Sequence, residues 1–252
     1  MTLSDKGARE NTTMFEGRVQ VIQPVRGYRY AVDSLLLSHF VLGRARTSGD
    51  FVDLGAGSGV VSALLALAGR RPGLAIEYQP PLQECCRATI EANGLCHAVS
   101  CVAGDIRRLD EISGGGQHQL VVSNPPFFPA GSGRLSPDSM VAHAKHELAC
   151  TMSDVISGAR FLLPVGGRLM LIYPAPRVTQ LVANLAKHKF ELVALQSVHP
   201  REDSEACNVL VEAVKSQSRE CRILPPIVVH ADSGGYADWY DELKRAVLHQ
   251  PC

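Results

Sequence analysis

The segment Val52-Asp53-Leu54-Gly55-Ala56-Gly57-Ser58-Gly59-Val60 limits what this chain can fold into more than any other stretch of its 252 residues. Residues 50–54 form a short apolar run of strand length, three glycines follow at single-residue spacing, and residues 60–68 carry an apolar helical pattern. Glycine lets the backbone turn tightly and approach a ligand closely, and the helix start behind it presents N–H groups that have no partner within the helix. A strand feeding a helix through such a loop suits an open α/β sheet, where it sets a nucleotide cradle at the carboxyl end of the first strand, at the topological switch point.

Strands and helices alternate on either side of this segment as such a sheet requires. Strands are expected at 74–77, 99–102, 120–123 and 168–172, with helices at 81–93, stopped by Gly94, at 152–163 and at 177–189. Two apolar segments, 191–198 and 208–213, flank the polar stretch PREDSEA and predict a final antiparallel hairpin at which the sheet ends. Ahead of the core, residues 15–25 alternate loosely and predict a short strand or hairpin arm that turns at Arg26-Gly27. Leu36, Leu37, Phe40 and Val41 then fall at helical spacing, with Asp33 or Ser34 as N-cap. The chain so divides into an N-terminal arm and helix packed on the core (1–48), a Rossmann-like core with a mostly parallel sheet and helices on both faces (49–216), and a C-terminal extension with a terminal helix (217–252). Residues 129–150 make a connection longer than compact folds ordinarily use, which suits a lid or binding segment.

Composition narrows the classes of function. Lys plus Arg and Asp plus Glu both total 25, so no global positive field draws in a polyanion, although Arg18, Arg26, Arg29, Arg44, Arg46 and the pairs Arg70-Arg71 and Arg107-Arg108 offer local phosphate contacts. The eight cysteines include the adjacent Cys85 and Cys86 but no CxxC spacing, and they are expected as reduced thiols holding no metal. No stretch of about 20 apolar residues is present and the first residues lack a signal-peptide core, which points to the cytoplasm and away from a membrane.

The glycine spacing bears on the ligand. A dinucleotide fingerprint needs G-x-G-x-x-G, but after Gly55 and Gly57 the last place is taken by Val60. Asp53 precedes the loop, and an acidic residue can hold the ammonium of S-adenosylmethionine, which has no pyrophosphate to cradle; the segment favours that methyl donor. Glu77, at the end of the second core strand, can accept both hydroxyls of a ribose. Asp105, after the third, can meet the adenine ring or N-cap the short helix that follows it, and both roles stay open.

Asn124-Pro125-Pro126-Phe127-Phe128 moves the expectation from cofactor to reaction. Prolines stiffen the chain past the fourth core strand, so a side-chain amide and nearby carbonyls are held with little entropy left to lose. Two fixed acceptors suit a planar NH₂ group, and Phe127 or Phe128 offers a face on which the attached ring can stack. NPP is also a good turn and Phe a good core residue, so the segment decides little without the glycine loop.

Both motifs, in this order, resemble the amino methyltransferases that act on exocyclic amines of adenine or cytosine or on glutamine amides, whose N-P-P-[FYW] tetrapeptide Asn124 to Phe127 matches in full. The stretch FEGRVQVIQPVRGYRYAVDSLLL, NPPFF and the pair His146-Glu147 are similar to the bacterial family that includes the valine-tRNA adenine-N6 methyltransferase. The resemblance implies S-adenosylmethionine as cofactor, held by Asp53, Gly55, Gly57, Glu77 and Asp105, with Tyr30, Asp33 and Leu36 on the outer wall of its pocket. It further implies a tRNA adenine beside the anticodon as target, bound by Asn124, Pro125 and Phe127. A ribosomal RNA base, a protein glutamine, and a non-catalytic donor- or RNA-binding module are the alternatives. His143 and His146 suit either a general base or a lid that touches phosphate.

Overall fold

The computed structural model describes residues 8–25, 31–44, 49–69, 72–125, 150–232 and 234–248. The core strands are β3 (Phe51–Leu54), β4 (Gly73–Glu77), β5 (Val99–Ala103), β6 (Leu120–Ser123), β7 (Arg168–Pro174), β8 (Phe190–His199), β9 (Asn208–Lys215) and β10 (Arg222–Val228). They make one eight-stranded sheet in the order β10-β8-β9-β7-β6-β3-β4-β5. β3 lies between β4 and β6, parallel to both, so the order reverses where the glycine loop leaves it. The loop thus sits at the switch point expected for it.

α1 (Val32–Arg44), α2 (Val60–Gly69) and α3 (Pro80–Ala92) cover one face of the sheet, and α4 (Met152–Leu162) and α5 (Val178–Lys187) the other. The two buried clusters follow the alternation of the strands: Phe51 and Val122 pack toward α1 and α2, while Val52, Leu54 and Val121 pack against Ile156 and Leu162 of α4. α4 opens with a reciprocal cap, in which Thr151 Oγ1 accepts from the Asp154 N–H and the Asp154 carboxylate accepts from the Thr151 N–H.

The arm expected over 15–25 begins earlier, as a separate two-stranded antiparallel hairpin, β1 (Arg9–Met14) and β2 (Val19–Pro24), that turns at 15–18; the turn expected at Arg26-Gly27 lies outside the described residues. The hairpin docks on α3, where the Asn93 amide exchanges bonds with the Gln20 backbone (3.0 and 2.7 Å) and the Ile22 N–H donates to Thr89 Oγ1 (3.0 Å). β8 and β9 pair antiparallel as the final hairpin.

Beyond that hairpin the expectation needs correcting. The sheet does not end there, because Arg222–Val228 adds as β10, parallel to β8 at the open edge. Its register slips between Leu224 and Ile227, around Pro225 and Pro226. Proline cannot donate to a ladder, so a pair of them argues against a strand unless it lies at an edge. The division at residue 216 therefore separates the sheet from one of its own strands. α6 (Asp238–Leu248) packs Trp239, Leu243 and Val247 into the same cluster as α1 and α2, and the Trp239 indole donates to the Val229 carbonyl (3.1 Å). Among the described residues no helix is long and apolar enough to cross a membrane.

Candidate active site

The glycine loop turns through left-handed backbone at Gly55 (φ 73°), Gly57 (φ 57°) and Gly59 (φ 79°), which side chains rarely adopt. Gly55 and Ala56 both donate to the Ile76 carbonyl (2.9 and 3.1 Å), which ties the loop to β4. A Cβ on Gly55 would meet nothing within 4 Å, whereas one on Gly59 would strike Cys86 Sγ at 2.8 Å. The loop is thus open to a ligand at its entry and closely backed by α3 at its exit.

Glu77 is 6% exposed and braces the loop directly, Oε2 accepting from the Gly57 N–H and Oε1 from the Gln79 N–H, both at 2.8 Å. Each carboxylate oxygen keeps a further lone pair, so Glu77 can hold the loop and accept ribose hydroxyls together. Burial raises its pKa.

Asp53 lies one layer below, 2% exposed, on the α2 side of β3, where Oδ2 accepts from Ser62 Oγ (2.7 Å). Desolvation pushes its pKa up to about 7, opposed by the Ser62 bond and assisted by the nearby Glu77 charge. Asp105 stands at the surface after β5, where its carboxylate receives the Arg107 backbone N–H and guanidinium (both 2.9 Å to Oδ1). It does not serve as the N-cap expected of it, because the short helix Leu109–Glu111 starts from Arg108, and the Arg107 guanidinium holds its pKa below the ordinary value.

Asn124 and Pro125 leave the carboxyl end of β6. β6 pairs with β3 as far as Val122 opposite Asp53, and Ser123 Oγ then donates to the Leu54 carbonyl (2.8 Å), the last strand residue before the glycine loop. The Asn124-Pro125 corner is therefore fastened beside the glycine loop. Asn124 Nδ2 donates to Ser34 Oγ (3.2 Å), and the neighbouring Asp33 Oδ1 accepts from Asn208 Nδ2 (3.1 Å) at the start of β9. Burial raises the Asp33 pKa. α1 already begins at Val32, so Asp33 and Ser34 sit inside its first turn instead of capping it, and their side chains are spent on tertiary bonds. Tyr30, Phe127, Phe128, His143 and His146 lie outside the described residues.

Ser62 and Ser123 are contributors that sequence reasoning missed, and Ser34 was weighed only as an N-cap. A serine inside an apolar run carries no signal beyond its polarity; the clue was that Ser123 adjoins Asn124, already singled out.

The chain is an S-adenosylmethionine-dependent methyltransferase on a Rossmann-like sheet, with a glycine loop at the switch point, a buried carboxylate ending the next strand and an Asn-Pro corner beside them. The chain belongs to the methyltransferase small domain family, which it matches over residues 33–177. It is 29% identical over 197 residues to the tRNA1(Val) (adenine(37)-N6)-methyltransferase of Porphyromonas gingivalis, with 76% of each chain covered. The corresponding enzyme of Aeromonas salmonicida is 26% identical over 194 residues, covering 76% of this chain and 79% of the relative. Among solved structures, a predicted O-methyltransferase from Agrobacterium tumefaciens superposes with a TM-score of 0.67 at 20% identity, over 85% of this chain and 96% of that one. At that identity the likeness speaks for the fold alone.

Proposed function

We propose that the protein methylates the exocyclic N6 amine of an adenine in tRNA, in the cytoplasm, using the Asn124-Pro125 corner to hold the amine. The observation that carries this is the Ser123–Leu54 bond, which fastens the acceptor corner to the strand that delivers the donor loop. The names of the relatives from Porphyromonas and Aeromonas support tRNA adenine as the substrate class.

Asp53, Gly55, Gly57 and Glu77 hold the donor, with Asp105 at its adenine, and Tyr30 and Asp33 belong to the outer wall of the pocket. S-adenosylmethionine, when bound, supplies a methyl group on a sulfonium that departs as a neutral thioether. Asn124 Oδ1 and the Pro125 carbonyl accept the two N–H bonds of the target amine, which draws its nitrogen toward tetrahedral geometry and localises the lone pair for in-line attack. Phe127 stacks on the base. Positioning and fixed dipoles supply most of the acceleration, and the nitrogen, cationic after transfer, gives its extra proton to water.

The buried Asp53 gives donor binding a pH dependence. The ammonium of the donor favours the ionised carboxylate, so affinity rises as pH increases through about 7 and falls below it. Calorimetric titration with S-adenosylmethionine across that range should show this slope in the wild type and lose it in Asp53→Asn; an equal slope in both assigns it elsewhere.

Transfer of labelled methyl groups to total tRNA, ribosomal RNA and protein, each from a strain lacking the gene, tests the assignment. N6-methyladenine in the tRNA fraction is expected. Label confined to ribosomal RNA or to protein would replace the substrate class, and label in none would replace catalysis itself.

A further inference from the structure

The Asn124 amide must present its oxygen, never its nitrogen, to an amine that is itself a donor. A terminal amide torsion is broad and roughly two-fold, so an unrestrained Asn124 spends much of its time with NH₂ facing NH₂. Ser34 is placed to favour the other orientation. It is 5% exposed in the first turn of α1, and its Oγ accepts from Asn124 Nδ2 at 3.2 Å. The turn carrying it is anchored on both sides: the Asp33 carboxylate accepts from Asn208 on β9 (3.1 Å), and the Ser34 carbonyl accepts from Ser38 Oγ (2.8 Å). The Ser34 N–H is satisfied by the Ala31 carbonyl (3.1 Å), so its hydroxyl meets Asn124 from a fixed backbone.

Building on the amine-binding role of Asn124, we infer that Ser34 is a positioning residue for methyl transfer: it takes the amide N–H₂ and so aims Oδ1 at the substrate amine. The N-terminal helix thereby belongs to the catalytic apparatus, acting through Asn124. The hydroxyl acts through orientation, so its loss lowers turnover and leaves donor binding intact.

The test is a cycle of Ser34→Ala, Asn124→Ala and the double variant, assayed with tRNA from a strain lacking the gene. Ser34→Ala should lower kcat about ten-fold, as the loss of one hydrogen bond allows, with the Kd for S-adenosylmethionine and the Tm unchanged. Ser34→Thr, which keeps the hydroxyl, should restore most of the rate. The double variant should be no slower than Asn124→Ala. Should Ser34→Ala fold poorly, Ser34→Cys fills the same space with a weak acceptor and should show the same loss of kcat. Wild-type kcat in Ser34→Ala beside a crippled Asn124→Ala overturns the role of Ser34 alone, as does a parallel loss of kcat and donor affinity. Wild-type kcat in Asn124→Ala overturns the amine-binding role on which it rests.

Discussion

Asn124→Ala is expected to lower kcat by about 100- to 1000-fold, the cost of removing one preorganised polar group from a transition state, while the Kd for S-adenosylmethionine changes less than about two-fold. The reason lies in where the side chain points its bonds. Asn124 follows β6 and its amide nitrogen donates to Ser34 on α1, whereas the glycine loop is braced separately, by Glu77 on the Gly57 N–H. What holds the loop to β6 is the Ser123 hydroxyl on the Leu54 carbonyl, which the substitution leaves in place. Single-turnover rates set beside calorimetric donor binding separate the two quantities. Equal losses in both would mean that Asn124 shapes the cradle and does not hold the amine.

The largest loss of stability is expected far from that chemistry, in Arg44→Met combined with Arg168→Met. Glu212 on β9 is 2% exposed and sits between the two guanidinium groups, accepting from Arg44 Nε at 2.6 Å and from Arg168 at 3.0 Å. The arginines are themselves about a quarter exposed, at 21% and 27%, so either can recover some water if its partner is lost. The carboxylate cannot. With both cations gone a buried charge stands unpaired between strands, which costs roughly 3–5 kcal/mol. Urea denaturation should show a fall of that size, and Glu212→Gln added to the double variant should recover part of it. A fall under about 1 kcal/mol would mean that solvent reaches the carboxylate more freely than its burial implies.

Much of the fold could be read from the chain because short-range pattern carried it. The glycine loop, the run of alternating strands and helices and the β8–β9 hairpin each follow from spacing within a few residues, and each element was found within a few residues of its place. β10 escaped because Pro225-Pro226 is a sound local argument against a strand, and the exemption that edge strands enjoy depends on knowing the strand order. Glu212 escaped for a related reason. It was one charged residue inside an apolar run, and only the approach of α1 and β7 provides its partners.

The amino-acid sequence by itself determined the chemical parts of the site: the glycines that permit the left-handed turn, the acid that ends β4 and the Asn-Pro pair that ends β6. These properties travel with residue type and local backbone, so no distant contact is needed to read them. Tertiary structure alone decided how the parts are employed. Glu77 came from the next strand to brace Gly57, Ser123 reached Leu54 across the sheet, and Ser34, from a helix 90 residues earlier, came to hold the Asn124 amide. The physical reason is that a hydrogen bond is specified by the position of both partners, and for partners so far apart along the chain that position exists only once the sheet has brought them together.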